Sequence, residues 1–578
     1  MGRLKKILEY IRPLFGRMLA GFGIKLVGTV MDLAIPWILA HMIDEIVPTG
    51  NRRAIFLWGV GMAACAVTAW LGNVIANRRA SAVSRDATRR IRHDLFEKIE
   101  RLSSRQLDEI TIPSLISRLT SDTYNVNQTL GRIQRLGVRA PILLLGGILV
   151  TLMMDFRLSL VLIATLPLLT IGVMLISRRG IRLYASVQKN VDQMVRTVRD
   201  DVAGIRVIRA LSKGDYECAR FEADSDRLSR SQIHADAVMA ATNPMMQLLL
   251  NLGLTAVVVC GAYWVNKGLT KPGSIIAFLT YFTIILNAMM SVNKMFVMLS
   301  QATASASRIS EVLLLPNEEA EGGLARLETR SRIVFSDVCF SYRQPAKEYA
   351  LSHLSFAVDR GETLGVIGAT GCGKTTLIQL LQRFYPVDQG AIYIDGENIA
   401  GMDEARLHAL FGVAFQSDAF FAGTIYENID LGRGLPREDI ERAARCAQAE
   451  EFILARPGQY ASEVHAKAVN LSGGQKQRLL IARALAGRPE ILILDDSSSA
   501  LDYRTDAMMR AAVREEYPDT TVILVAQRVS SVKSAHQILV LEEGAVAGLG
   551  THEALMRDCA VYRQIAQIQM GGNDDAAA

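Results

Sequence analysis

Long apolar runs alternate with long polar stretches in the first half of the chain, and the pattern changes in the second half. A helix needs about 20 residues to cross roughly 30 Å of hydrocarbon. Six runs come near or above that length: Phe15–Ile43, Ile55–Ile75, Val138–Met154, Leu158–Ile176, Val238–Val265 and Ile275–Leu299. The first carries Lys25 and Asp32 and others follow it, so it reads as a span rather than a cleavable leader. Short connectors join spans one to two, three to four and five to six, whereas residues 76–137 and 177–237 form two long ones. In both, Gly and Pro are sparse and apolar residues recur at helical spacing (Leu95, Ile99, Leu102; Val198, Val202, Ile205, Ile208). The pattern predicts helical extensions of the spans that meet at tips near Ile110–Ser117 and Val202–Arg209.

Charge gives these helices an orientation. The long connectors are basic (Arg78, Arg79, Arg89, Arg90, Arg92; Arg178, Arg179, Arg182, Arg196, Arg199), and the short ones hold few cations. Positive connectors stay on the cytoplasmic side, which predicts a multi-pass protein of the inner (plasma) membrane with both termini cytoplasmic. Of 64 Lys+Arg and 58 Asp+Glu in the chain, 38 and 22 precede residue 316, leaving 26 and 36 after it. The net +6 is therefore +16 in one part and −10 in the other. The basic excess belongs to topology and predicts no nucleic-acid partner. A chain 50% hydrophobic and 21% charged is too apolar for disorder, and its mean hydropathy of +0.21 argues against a purely soluble enzyme. The seven cysteines lack the spacing of a zinc site or a disulfide framework.

Beyond an acidic, Gly-containing linker (316–332), β-type runs begin at Ile333–Phe335, Val338–Tyr342 and Thr363–Ile367. Directly after the last comes Gly368-Ala-Thr370-Gly371-Cys372-Gly373-Lys374-Thr375-Thr376, leading into an apolar helix at Leu377–Leu381. This is GxxxxGK[ST] in its required strand-to-helix setting. Its glycines let backbone N–H groups curl around phosphate oxygens at a helix N-terminus. Lys374 would pair with the β/γ-phosphates of ATP, and the Thr375 hydroxyl would ligate Mg2+. Ile491–Asp495 reads as a buried parallel strand ending in a Mg2+-directed carboxylate. Between the two lies Leu471-Ser472-Gly473-Gly474-Gln475, which suits a second phosphate-contacting helix start.

Together these motifs resemble the nucleotide-binding domain of an ABC transporter. Fused behind six spans with two long connectors, they resemble an exporter-type half-transporter of the type IV membrane fold. The expected fold is an α-helical six-span membrane domain (1–315) joined by the linker to an α/β P-loop ABC nucleotide-binding domain (333–570), with a disordered tail (571–578). The resemblance implies ATP and Mg2+ as cofactors, Tyr342 stacking on adenine, Gln416 reaching Mg2+ with Thr375 and Asp495, and a D-loop at Ser499–Asp502. It implies that each ATP is sandwiched between one chain's Walker A and the other's signature, and that the connector tips are coupling helices.

Two departures stand at one site. The family's Glu after the Walker-B Asp is Asp496 here, and its switch His after strand Thr521–Val525 is Gln527. Asp is one methylene short of the attacking water, and Gln cannot carry a proton. Losing a positioned base costs about 10²–10⁴ in rate. The pair predicts a heterodimer resembling bacterial multidrug exporters with one degenerate site. The partner would be a second half-transporter with Glu and His intact. A third departure replaces the family's Gly-Glu-Arg-Gly with His465-Ala466-Lys467-Ala468.

Cargo is less readable. Amphipathic or hydrophobic compounds (drug-like, lipid or peptide) fit the resemblance. An exporter-fold importer or an ATP-gated channel would share every nucleotide motif. Lys25 and Asp32 lie two turns apart on one face of span one, as cavity lining, as a structural pair, or with Lys25 reaching an interface. Asn287, Met290 and Asn293 of span six suit an adaptable apolar cavity or plain packing.

Overall fold

The computed structural model describes residues 2–316, 326–343, 348–416, 419–497 and 501–570. Contacts divide the chain into two units, Met1–Glu100 with Pro113–Leu315, and Arg101–Ile112 with Pro316–Ala578. The tail 571–578 and linker residues 317–325 lie outside the described residues.

The first unit is helical: α1 (Gly2–Ile11), α2 (Phe15–His41), α3 (Arg52–Glu100), α5 (Ile112–Ser117), α6 (Thr123–Met154), α7 (Phe156–Ala210), α8 (Gly214–Ala240), α9 (Thr242–Asn266) and α10 (Pro272–Leu313), with α4 (Ser104–Ile110) in the other unit. Among the described residues, six helical stretches are long and apolar enough to cross a membrane. Lipid leaves backbone groups no partner outside the segment, so the spans must be helical. Local chemistry sets their ends. Gly50, at φ 65°, closes the turn before α3. Asp155 is extended between α6 and α7 and accepts from the N–H groups of Arg157 (2.9 Å) and Leu158 (3.1 Å). Pro272 opens α10 from an extended Lys271. The core packs Phe278, Tyr281, Phe282 and Ile285 of α10 against Leu158 and Leu162 of α7 and Leu33 of α2.

Both connectors are helical; the first turns just before and within its expected tip, and the second just beyond its own. In the first, the chain leaves α3 at 101–103, Ser103 caps α4 reciprocally with Gln106, and Thr111, at φ 66°, breaks α4 from α5 inside the expected Ile110–Ser117. In the second, α7 runs unbroken through Val202–Arg209 and turns at 211–213, where Ser212 takes φ 53°. Apolar spacing locates a helix face, but a single left-handed residue ends the helix. A like correction applies to the linker: Arg332 is already buried in the second unit, ion-paired with Asp395 (2.5 Å) and Glu490.

The second unit has two main sheets. The smaller pairs Ile333–Phe340 antiparallel with Leu351–Val358 and Gln389–Ile394. The larger runs, in order, Ala545–Gly550, Gln537–Glu542, Thr363–Gly368, Thr521–Val525, Ile491–Asp495 and Phe411–Ala414. Its inner strands are parallel and buried on both faces, hence the continuous apolar runs Leu492–Leu494 and Ile523–Val525. Val525 pairs with Asp495 on one side and with Val366 on the other, which fixes the height of every loop at that edge.

Ile493 is fully buried on an inner strand of this sheet. Replacing Ile493 with Ala in the full chain should cost about 2–5 kcal/mol. Hydrogen exchange would read this as faster exchange across Ile491–Asp495 and Thr521–Val525. Unchanged protection would contradict the assignment of the core.

Candidate nucleotide site

The loop after Thr363–Gly368 is shaped by glycines that no other residue could replace without strain. Gly373 has φ 102°, and a Cβ there would lie 2.5 Å from Leu351 Cδ2. A Cβ on Gly368 would meet the Leu541 carbonyl oxygen at 2.2 Å. Gly371, at φ 86°, faces open space, so the backbone there can approach a bound group closely. Lys374 begins the helix Lys374–Leu381, and its Nζ donates to the carbonyls of Gly368 and Ala369, both at 2.8 Å. Thr370 and Thr375 are exposed on the same loop, and Cys372 and Thr376 are buried beneath it. The Tyr342 hydroxyl meets Thr376 Oγ1 at 3.0 Å and donates to Gln379 Oε1 at 2.8 Å, which holds a half-exposed ring beside the loop. Phe340 and Tyr385 brace that ring edge-on at 4.9 and 5.3 Å.

Across the central strand, Asp495 is 4% exposed. Burial, then the neighbouring Asp496, push its carboxyl up to about 6, and Lys374 opposes them. Asp496, at φ 49°, turns its side chain to two amides: Gln416 Nε2 donates at 3.1 Å and Gln527 Nε2 at 2.8 Å to the same Oδ2. Burial raises this carboxyl too, and the two amide bonds pull it back. Gln527 is held in turn by Gln569 of the helix Ala560–Met570, whose amide donates to the Gln527 carbonyl at 2.7 Å and accepts from Val529 N at 2.8 Å. Nothing in the sequence pattern pointed to Gln569, because its role rests on a contact 42 residues away.

The other motif lies at a helix start. Ser472 caps the helix Gly473–Ala486, its side chain accepting from Gln475 N and its N–H donating to Gln475 Oε1 at 3.1 Å. Leu471 is buried as an anchor, while Ser472 is exposed and Gly473 has open space above its Cα. Gly474 lies in the first turn. Asp502 caps Tyr503–Glu516 through Thr505 N (2.8 Å) and Thr505 Oγ1 (2.9 Å), bonds that hold its carboxyl below the usual carboxylate range. Ser499 and Ala500 lie outside the described residues. In His465–Ala468, Lys467 (φ 59°) and Ala468 (φ 49°) occupy left-handed conformations, where the family pattern places glycine at the last position.

The span residues divide. Lys25 is buried and donates to Asn77 Oδ1 at 3.1 Å, while Asp32 accepts from Arg139 at 3.0 Å and Asn73 at 3.5 Å. The two thus bond to different partners rather than to each other. Asn287 is exposed, Met290 packs against the α10 core cluster, and the Asn293 side chain lies outside the described residues.

Residues 18–289 match the family model for the ABC transporter transmembrane region, and residues 351–499 match the ABC transporter model. An uncharacterized ABC transporter ATP-binding protein of Bacillus subtilis, YfiB, is 34% identical over 98% of this chain and 99% of its own length. The chain belongs to the ABC transporter family. Among other relatives of this ABC transporter, a multidrug efflux ATP-binding/permease protein of Mycobacterium bovis is 31% identical over 95% of this chain and 46% of its own. A solved bacterial Atm1-family ABC exporter with ATP bound superposes with a TM-score of 0.81, at 24% identity and over 98% and 99% of the two chains. The fold is thus that of an exporter: six apolar helices followed by an α/β ABC nucleotide-binding domain.

Lys374→Ala should weaken binding of a fluorescent ATP analogue at least about tenfold, because a charge-assisted phosphate contact is lost. Equal affinity in the variant, with unchanged circular dichroism, would remove Lys374 from the phosphate site.

Proposed function

We propose that this ABC transporter chain is one half of a heterodimeric, ATP-driven exporter, and that it supplies the slow ATP site and completes the fast one. One observation carries the reading: Asp496, too short for the family's base, is bonded by Gln416 and by Gln527, which stands in place of the switch His. A carboxylate that accepts from two amides is a poor general base, since both bonds favour its remaining ionised and immobile. The open phosphate loop, the buried Asp495 carboxyl and the exposed Thr375 fit ATP and Mg2+ as a donor set. Thr375, Gln416 and Asp495 would hold the ion, which when bound neutralises phosphate charge. Tyr342 would face the adenine. The accessible Ser472–Gln475 helix start would close on the partner's nucleotide, where the partner's Glu and His would act.

Both termini and both long connectors would lie in the cytoplasm of a bacterial-type inner membrane. The M. bovis relative's description as a multidrug efflux protein supports amphipathic or hydrophobic cargo, a small molecule or peptide taken from the cytoplasm or the inner leaflet. Segment 101–112 would act as a coupling element. Tyr385 donates to Asp108 of α4 at 2.6 Å, and burial together with that carboxylate pushes its phenol up. Arg105 pairs with Asp388 at 3.7 Å, and Gln106 donates to the Pro316 carbonyl at 3.1 Å.

Purified alone, the chain should turn over ATP slowly, and co-purified with its genomic neighbour it should turn over fast. Installing Asp496→Glu with Gln527→His should raise hydrolysis at this chain's own site by about 10²-fold or more. Fast turnover by the lone chain, unaffected by Asp496→Asn, would sink the degenerate-site reading. Asp108→Ala should leave ATP binding intact while cutting cargo-stimulated turnover several-fold; stimulation that survives would remove α4 from the coupling path.

A further inference from the structure

Where α2, α3 and α6 meet, three cations share one acid. Lys25 of α2 is only 3% exposed, and among the described residues its ammonium donates to Asn77 Oδ1. The guanidinium groups of Arg135 and Arg139 on α6 repel it, and Asp32 alone attracts it. Asp32 is itself engaged by Arg139 at 3.0 Å. Arg135 spends its Nε on the Gly131 carbonyl at 3.1 Å. Three positive charges against one negative leave an excess of +2 at this seam. Among the described residues, Arg139 Nε and Asn73 Oδ1 in the cluster are buried with no hydrogen-bond partner.

Lys25 carries a desolvation penalty as a buried cation, and so do the orphaned polar atoms, whereas the Arg139 side chain is 41% exposed and can reach a bound group. Simple anchoring of basic residues at a lipid interface does not account for it. Anchoring cations extend their heads into water, and the Lys25 head is enclosed. The seam nevertheless opens at its edge: Asn77 also lines an open cleft of about 410 Å3 with Arg78, Ser81, Ala82 and Arg85, two further cations among them. Apolar, polarizable groups adjoin the same helix. Met298 of α10 meets Arg132 at 3.6 Å, and Met295 packs over Gly137. Asn77 and Arg139 stand at the ends of spans two and three that the basic connectors mark as cytoplasmic.

We propose that Lys25, Arg135 and Arg139 form a binding subsite for the acidic head of an amphipathic anion, with Asp32 tuning its strength and the α10 methionines contacting the apolar body. The subsite deepens the transport reading by assigning a class of cargo and rests on that reading only for calling the anion cargo. Intramembrane ionisable clusters that face a cavity mark ligand paths. Here the sign of the excess selects anions.

The test uses the full chain in phosphatidylcholine nanodiscs without ATP, titrated with 11-dansylaminoundecanoate and, separately, with its uncharged methyl ester. The carboxylate should bind about tenfold tighter than the ester, the worth of one good charge contact. Arg135→Gln and Arg139→Gln should each erase most of that difference and leave the ester unchanged. Asp32→Asn should tighten the carboxylate alone, an effect that a merely structural role would not produce. Should Arg139→Gln fail to fold with Asp32 unpaired, Arg135→Gln and Asp32→Asn decide the matter. Equal affinity for the two probes, or changes that move both alike, would overturn the proposal. Repeating the titration with phosphatidylglycerol in the nanodisc identifies the source of the anion. Probe binding lost there names a lipid head group and probe binding retained names a diffusible compound, and both uphold the subsite. Anion selectivity without ATP-driven uptake would sink the transport reading alone, and uptake without selectivity this subsite alone.

Discussion

The register of three buried parallel strands is the constraint on which the nucleotide site depends. Val366, Val525 and Asp495 stand side by side in the sheet. The loops that leave these strands therefore emerge at one edge, whatever their own sequences. The phosphate loop follows one strand, the Asp495–Asp496 carboxylates end another, and Gln527 follows the third. A one-residue slip would turn every side chain to the opposite face, so the fully apolar interior of these strands enforces the position of the polar groups at their ends. The smaller antiparallel sheet adds Tyr342 beyond the end of Ile333–Phe340, and the rings of Phe340 and Tyr385 hold it there.

What could be read from the chain, and what could not, follows the same division between local and long-range order. The phosphate loop was readable because its glycines, lysine and threonine are contiguous and answer one chemical need. The spans were readable because lipid imposes one length and one backbone conformation. The bonds from Gln416 and Gln527 to Asp496 link residues 80 and 31 positions apart, and no periodicity encodes them. The turn at 211–213 depends on the backbone of Ser212, whose side-chain type permits many conformations. Arg332, in a stretch that reads as linker, is buried because two acids from distant segments, Asp395 and Glu490, converge on it. Lys25 and Asp32 read equally well as a pair or as lining. Only the α3 asparagines and Arg139 show that each has a separate partner.

The substitutions at positions 496 and 527 act together because they share a hydrogen bond. A shorter carboxylate alone would leave space that water could occupy. A glutamine alone would keep a donor but lose a titratable ring. With both present, the amide of Gln527 reaches the shorter acid, and Gln416 reaches it from the opposite loop. The result joins three loops of the site through one oxygen atom. Gln569 extends the chain of contacts to the last described helix. Such a network favours holding one arrangement over moving protons through it, as the proposed slow site would require.

On the proposed coupling role of 101–112, transmission out of that site would have a covalent route. Segment 101–112 is packed into the nucleotide-binding unit through Tyr385–Asp108, Arg105–Asp388 and Gln106–Pro316, yet in sequence it follows α3 directly and leads through α5 and residues 118–122 to α6. A displacement of the nucleotide-binding unit would therefore be imposed on two membrane helices at once. Those helices carry Asn73, Asn77, Arg135 and Arg139, the groups that surround Lys25 and Asp32. A rotation of α6 against α2 would separate Arg139 from Asp32 and change how much uncompensated positive charge the seam presents. Interfaces of packed helices switch between discrete arrangements rather than deforming smoothly. If the proposed subsite and coupling role hold, the ion pair between α2 and α6 would be the place where a change at the nucleotide site becomes a change in affinity for a charged cargo.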